Sequence, residues 1–335
     1  MTTVLLVGVG AVGRRAARQL SETEGVERIL IADRNTARAR EVAAAMGSAA
    51  EPVGWRPGDP VPSGVGVLAA AVEGSAEVAV ARCAVEAGVP AALCTDGPGA
   101  VDGLLALDAA AARVGVAIAA GCGLAPGLAD VLARHAGDAL DQVDEVHVAR
   151  SGSAGPACKA ALARGGRSGT GVWRDGSWLL ERAGGGRSLV WFPDPVGGRE
   201  CRRASSGQVP LLIDAFPGLR RASIRVARGG SDSTGGRVSR RRRLDPDGEW
   251  GAVWVEVRGR RGRSEEVLVY GAVDRMTFAA GSVLAVAAVW LAGLGEGQVR
   301  RAGVHGLAAL VDPVPFLADL AQRGVRAAVV EGARL

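Results

Sequence analysis

Lysine is almost missing from this chain: Lys159 is its only one, and arginine carries the rest of the basic charge. With so much alanine and glycine, that pattern follows a GC-rich genome, so the arginine count weighs little as a sign of nucleic-acid binding. Aromatic residues are also few, at 4%. None interrupts the densest basic run, Arg240-Arg241-Arg242-Arg243, so no nucleic-acid partner is expected. The five cysteines (Cys83, Cys94, Cys122, Cys158 and Cys201) are odd in number, widely spaced and free of any C-x-x-C pair. That argues against a disulfide framework and a zinc site, and it fits a reduced cytoplasm. The three histidines, His135, His147 and His305, lack metal-ligand spacing: the first two read as structural, and His305 shows no evident partner. A core strand beginning at Thr3 leaves no room for a secretory signal. The uncharged run 276–295 is long enough to span a bilayer, but it is mostly Ala, Gly, Ser and Thr. It is expected as a helix buried between domains, and no membrane partner is expected.

What is present is a large apolar fraction, 48%, enough for a sizeable core, and a length of 335 residues that favours two domains over one. The net charge is +5, with many arginines between 182 and 263. That basic half either draws an anionic substrate or keeps the chain soluble. The fold class is α/β. In residues 1–140, short apolar runs at 4–7, 29–32, 65–72, 90–94 and 116–119 alternate with helical periodicity, predicting a doubly wound parallel sheet. Leu104, Leu107 and Ala111 predict one helix closed by Gly115. In residues 141–275 the pattern changes to strands at 143–148, 188–192, 222–226, 253–257 and 266–270. An Asp175-Gly176 hairpin turn and a short helix at 209–216 join them, giving a second α+β domain with a mixed sheet for substrate and dimerisation. Residues 229–236 read as a polar loop. Residues 276–335 are expected as C-terminal helices.

Gly8-Val9-Gly10-Ala11-Val12-Gly13 follows the first buried strand and opens a helix. The first glycine permits the turn, the second lets backbone approach a pyrophosphate, and the third lets helix and strand pack closely. The N–H groups near Val9, Ala11 and Val12 then face phosphate at the helix N-terminus. Asp33, at the end of the second strand, suits the ribose hydroxyls of NAD and opposes a 2′-phosphate. Arg34 beside it attracts that phosphate, stacks on adenine, or simply faces solvent. The cofactor is therefore expected to be NAD(P), with a lean to NAD.

In an open α/β sheet, ligands lie beyond the carboxyl ends of the strands. Three segments meet there: Ala71-Val72, Cys94-Thr95-Asp96 and Gly121-Cys122-Gly123. Asp96 is the first candidate for acid–base or amine-orienting work, against a turn or capping role ahead of Gly97-Pro98. Lys159, which can lose a proton where arginine cannot, is the second, against a surface position. Cys94 and Cys122 read as small packing residues rather than nucleophiles. Pro126, in Gly121-Cys122-Gly123-Leu124-Ala125-Pro126-Gly127, is expected to start a helix with free N–H groups facing cofactor or a substrate carboxylate.

The glycine turn, Ile31-Ala32-Asp33-Arg34, Glu86-Ala87-Gly88-Val89-Pro90 ahead of Thr95-Asp96, and the Gly-Cys-Gly-Leu-Ala-Pro-Gly segment together resemble the saccharopine dehydrogenase-like family, which includes lysine 6-dehydrogenases and carboxynorspermidine synthases. The resemblance covers about residues 1–148 and thins to architecture beyond. It implies hydride transfer between a nicotinamide cofactor and a C–N bond of an amino-acid-derived compound, with C-terminal helices returning to the Rossmann domain. The expected partner is a small amino-acid-like substrate and the expected assembly a homodimer. The alternative reading is a non-catalytic Rossmann protein that holds or senses a dinucleotide.

Overall fold

The structure is a computed structural model and describes residues 1–156, 158–160, 170–182, 185–227 and 248–330. The run Arg240 to Arg243 and the expected loop 229–236 lie outside the described residues.

The first half builds β1 (Thr2–Val7), α1 (Ala11–Ser21), β2 (Val26–Ala32), α2 (Thr36–Met46), β3 (Ala50–Pro52), β4 (Val65–Ala70), α3 (Ser75–Ala87), β5 (Ala91–Leu93), α4 (Pro98–Leu105), α5 (Asp108–Val114), β6 (Ala117–Ala120) and α6 (Leu128–Gly137). The strands run parallel, and β1 lies between β2 and β4, so the winding reverses at β1. Runs such as Val4-Leu5-Leu6-Val7 are buried on both faces because helices cover both. The single helix expected around Leu104 to Ala111 is two. Ala106 caps the end of one and Leu107 the start of the next, and Gly115, at φ 74°, closes the second in the left-handed conformation that glycine adopts freely.

The second half adds β7 (Gln142–Ser151), β8 (Thr170–Arg174), β9 (Ser177–Glu181), β10 (Ser188–Phe192), β11 (Gly197–Arg203), β12 (Arg221–Ala227), β13 (Trp250–Arg261) and β14 (Ser264–Arg275), with a helix at Gln208–Ala215. Asp175 and Gly176 both have positive φ, which turns β8 into β9 as the Asp-Gly pair predicts. The sheet is mixed: β7 pairs parallel with β12 and antiparallel with β13. Residues alternate across it. Val146 and Val148 join Val253, Val255 and Val257 in the core shared with the first half, while Ala149 and Ala252 belong to a small separate cluster.

The run expected as a buried helix forms one at Met276–Leu291, shorter than the uncharged stretch and buried along almost its whole length. It lies against α1. A Cβ added at Gly281 would sit 2.6 Å from Arg15 Cβ and 2.9 Å from the Val12 carbonyl oxygen, so only glycine permits this approach. Among the described residues, no helix is long and apolar enough to cross a membrane. The C-terminal segment is not only helical. β15 (Gly303–Gly306) becomes the seventh strand of the first sheet, parallel to β6, and β16 (Ala327–Val330) pairs with β14 in the second. Two short helices, Leu307–Leu310 and Pro313–Gln322, lie between them. Trp290 is fully buried, stacks edge-on to Phe316 at 5.2 Å and donates its indole N–H to Asp319 at 2.9 Å. His305 has the partner its sequence setting did not reveal: Nδ1 lies 3.0 Å from Asp214 Oδ2.

Candidate dinucleotide site and interdomain cleft

The turn between β1 and α1 is shaped by its three glycines in different ways. Gly8 has φ 84°, and a Cβ there would lie 2.5 Å from the Ala71 carbonyl oxygen and 2.8 Å from Val72 Cγ1. This brings Ala71-Val72 against the turn. A Cβ at Gly13 would overlap the Gly8 carbonyl oxygen. A Cβ at Gly10 would meet no atom within 4 Å. Gly8 and Gly13 are thus required by the protein's own packing, whereas Gly10 borders open space at the start of α1. Open backbone at a helix N-terminus that follows a buried strand fits a pyrophosphate.

Asp33 closes the other side. Its carboxylate, 5% exposed, accepts the Val9 N–H at 2.9 Å and the Asn35 N–H at 2.8 Å. The residue expected at the ribose therefore also pins the glycine turn to the end of β2. Arg34 is exposed, and Arg38 lies 3.9 Å from Asp33.

Beyond β5, Asp96 meets the second half of the chain. Arg150, at the end of β7 and 7% exposed, donates to Asp96 Oδ2 at 2.7 Å and also bonds the Ala125 carbonyl. Ser206 Oγ donates to Asp96 Oδ1 at 2.9 Å, and the Gly207 N–H to the Asp96 carbonyl at 2.8 Å. Asp96 is thus an acceptor held from two sides, and its side chain is still 27% exposed. Gly155 approaches the glycine turn: a Cβ there would be 3.3 Å from Ala11 Cβ. Lys159 stands apart, 59% exposed and 3.7 Å from Glu249.

The cysteines are packing groups. Cys94 donates to the Cys122 carbonyl at 2.9 Å. Burial, with Cys122 and Glu77 nearby, drives its pKa well above the usual thiol value, and burial pushes Cys122 up to about 12. Neither supplies a thiolate at neutral pH. The segment after Gly121 also differs from expectation. The helix begins at Leu128, not at Pro126, and its N–H groups are already used. Leu128 and Ala129 donate to Gly123 and Leu124, and Gly127 donates to Asp130 Oδ2 at 3.0 Å. A self-satisfied turn with a carboxylate in it is no open anion site.

Glu77, Asp130 and Arg150 escaped the sequence reading. Glu77, in the first turn of α3, is buried beside Thr95 and Asp96. Burial first, then the charges of Asp96 and Glu73, push its pKa up to about 8, so it is a neutral acid at pH 7. Thr95 Oγ1 is close enough to ease that shift but makes no well-formed hydrogen bond and is buried without a partner. Asp130 is pushed up to about 7 by burial, against a hydrogen bond from Gln208. A signal existed for two of them. Glu77 continues the buried stripe of Val80, Ala81 and Ala84 at i+3, i+4 and i+7, and Arg150 continues the buried alternation of Val146 and Val148.

A turn with an open Gly10 at the winding reversal, a carboxylate at the end of β2 and a second mixed sheet over the strand ends define the two-part fold of the dinucleotide-dependent dehydrogenases. The family described as shikimate/quinate 5-dehydrogenase matches residues 1–53. Saccharopine dehydrogenase (L-Glu forming) from Saccharomyces cerevisiae superposes with a TM-score of 0.69 at 13% identity, covering 98% of this chain and 100% of that one. The chain has the saccharopine dehydrogenase-like fold. An amine dehydrogenase from Mycobacterium smegmatis superposes at 0.52 with 12% identity, covering 92% and 96% of the two chains. GenD2 from gentamicin A biosynthesis, solved in complex with NAD, superposes at 0.50 with 14% identity, covering 99% and 97%.

Proposed function

We propose that this protein is an NAD(P)-dependent oxidoreductase that passes hydride to or from a C–N bond of a small amino-acid-derived substrate. The observation that carries the reading is the cradle at Gly10, open where the Gly8 and Gly13 positions are closed by the protein itself. The names of the superposed saccharopine and amine dehydrogenases favour C–N chemistry.

Nicotinamide, when bound, supplies the hydride chemistry. The turn Gly8 to Gly13 holds the pyrophosphate, and Asp33 uses its remaining lone pairs on the ribose hydroxyls. Its charge favours NAD over NADP, with Arg34 and Arg38 offsetting part of that preference. Arg150 and Ser206 hold Asp96 as an acceptor, which orients a substrate ammonium or iminium at the cleft. Glu77 keeps its proton at neutral pH and spares the Thr95–Asp96 corner a second negative charge. One observation favours the non-catalytic alternative: both Asp96 oxygens already have partners.

Titration of the purified protein with NAD and NADP, followed by turnover with a panel of amino acids and imines, tests the reading. NAD is expected to bind tighter than NADP, and absence of dinucleotide binding would sink the proposal. With a substrate in hand, Asp96→Asn is expected to keep dinucleotide binding and lose about a hundredfold or more in turnover. Full turnover by that variant would leave the aspartate a structural role only.

A further inference from the structure

The second sheet has a face that the dinucleotide cleft does not use. Along β7, Val146, Val148 and Arg150 point toward the first half of the molecule, while Glu145 and His147 point away. On the far side lies a cavity of about 640 Å³, within the range that holds small organic ligands. It is a cleft rather than a flat face, because β10 touches β13 across the sheet and the β10–β11 hairpin folds over it. Val190, Phe192, Val196 and Ala252 close a small core beneath that hairpin.

Trp173, Trp191 and Trp254 line the cavity together with Arg203, Arg225 and Ser188. In a chain with only seven tryptophans, three on one cleft make a concentrated aromatic lining. The polar lining is out of balance. Arg203 Nε, Arg225 Nε and Ser188 Oγ are buried with no hydrogen-bond partner, and each such donor carries a desolvation cost. Arg174, Arg203, Arg221 and Arg258, also on the walls, each pair with a carboxylate. Arg225 makes no hydrogen bond or salt bridge among the described residues. Burial first and then the neighbouring Arg203 disfavour its charge, while Glu256, which also lines the cavity, and Cys201 offset part of that. A guanidinium does not escape that cost by losing its proton. An anion in the cleft removes it.

We propose that this cavity is a second ligand site, separate from the dinucleotide cleft, for a small aromatic carboxylate. The planar Arg225 fork matches a carboxylate bidentately. Ser188 and Arg203 supply further donors, and the three indoles enclose an aromatic body.

The test is calorimetric titration of the full chain with 2-naphthoate, with neutral 2-naphthol and inorganic phosphate as comparisons. Naphthoate is expected to bind at one site per chain and at least about tenfold tighter than naphthol or phosphate. Arg225→Gln is expected to weaken naphthoate about tenfold or more and leave naphthol unchanged. Ser188→Ala, which removes one donor and no charge, is expected to weaken naphthoate about two- to fivefold, and it serves if Arg225→Gln melts early. Naphthoate binding that is absent, no tighter than naphthol, or indifferent to both substitutions overturns the proposal. So does a concentration-dependent dimer that Trp191→Asp dissociates and whose formation excludes naphthoate, because the cleft would then be a subunit contact.

Discussion

At the scale of single residues, the glycine turn separates folding from binding. Gly10→Val is expected to keep the parent melting temperature and to lose dinucleotide binding, since its side chain enters only ligand space. Gly13→Val is expected to destabilise the protein outright, because its Cβ strikes the Gly8 carbonyl. Thermal melts and dinucleotide titrations on both variants check this, and equal behaviour of the two would remove Gly10 from the pyrophosphate site. Glu77 gives a pH prediction. The folded protein holds its proton up to about 8, whereas an ordinary glutamate titrates near 4.5. The folded state therefore binds more protons across that window. Its stability is fully present below 4.5 and falls as pH rises toward 8, by an amount on the order of a few kcal/mol. Glu77→Gln, which mimics the protonated acid, is expected to show a smaller drop in melting temperature between pH 5 and pH 8 than the parent. An identical drop would mean that Glu77 is ionised in the folded state. The glycine turn and Asp33 were legible in the sequence because their spacing is local. The Asp96 network was not, because Arg150 and Ser206 stand 54 and 110 positions away and meet it only after the second sheet forms.

Among the elements, α1 does two jobs: its first turn borders the cradle and its flank receives the helix Met276–Leu291. The close approach at Gly281 couples them. Gly281→Val is expected to cost about 1–3 kcal/mol through overpacking against Arg15 and Val12 and, by shifting α1, to weaken dinucleotide binding in the same variant. Loss of stability with undiminished affinity would show that the turn is positioned by β1 alone. The buried helix was readable as an uncharged, small-residue run, and its shortness followed from the turn at Gly293, which has φ 72°. The start of α6 was misread, since proline at a helix entrance is a common arrangement. Here the chain folds back first, and Gly123 and Leu124 absorb the N–H groups that Pro126 was expected to leave free. β15 was hidden for another reason. Gly303-Val304-His305-Gly306 is too short and too rich in glycine to stand out as a strand, and what fixes it is the parallel register with Ala117–Ala120 and the His305–Asp214 contact.

For the whole molecule, the two sheets are interleaved along the chain. The first six strands and β15 build one sheet, and β7 to β14 with β16 build the other, so neither is complete without the final segment. Calorimetry is expected to show a single unfolding transition with matching calorimetric and van't Hoff enthalpies; two resolved transitions would mean that the sheets fold independently. The alternation of helix and strand made the parallel sheet legible, and the Asp175-Gly176 turn marked a hairpin in the second half. The return of β15 to the first sheet was not legible, since pairing partners separated by more than 180 residues leave no local pattern. That return also bears on synthesis. As the chain leaves the ribosome, β6 waits for its second neighbour while β7 to β14 are being made, and its open edge is an invitation to pair wrongly. The nascent protein therefore carries an unsealed sheet for most of its time on the ribosome.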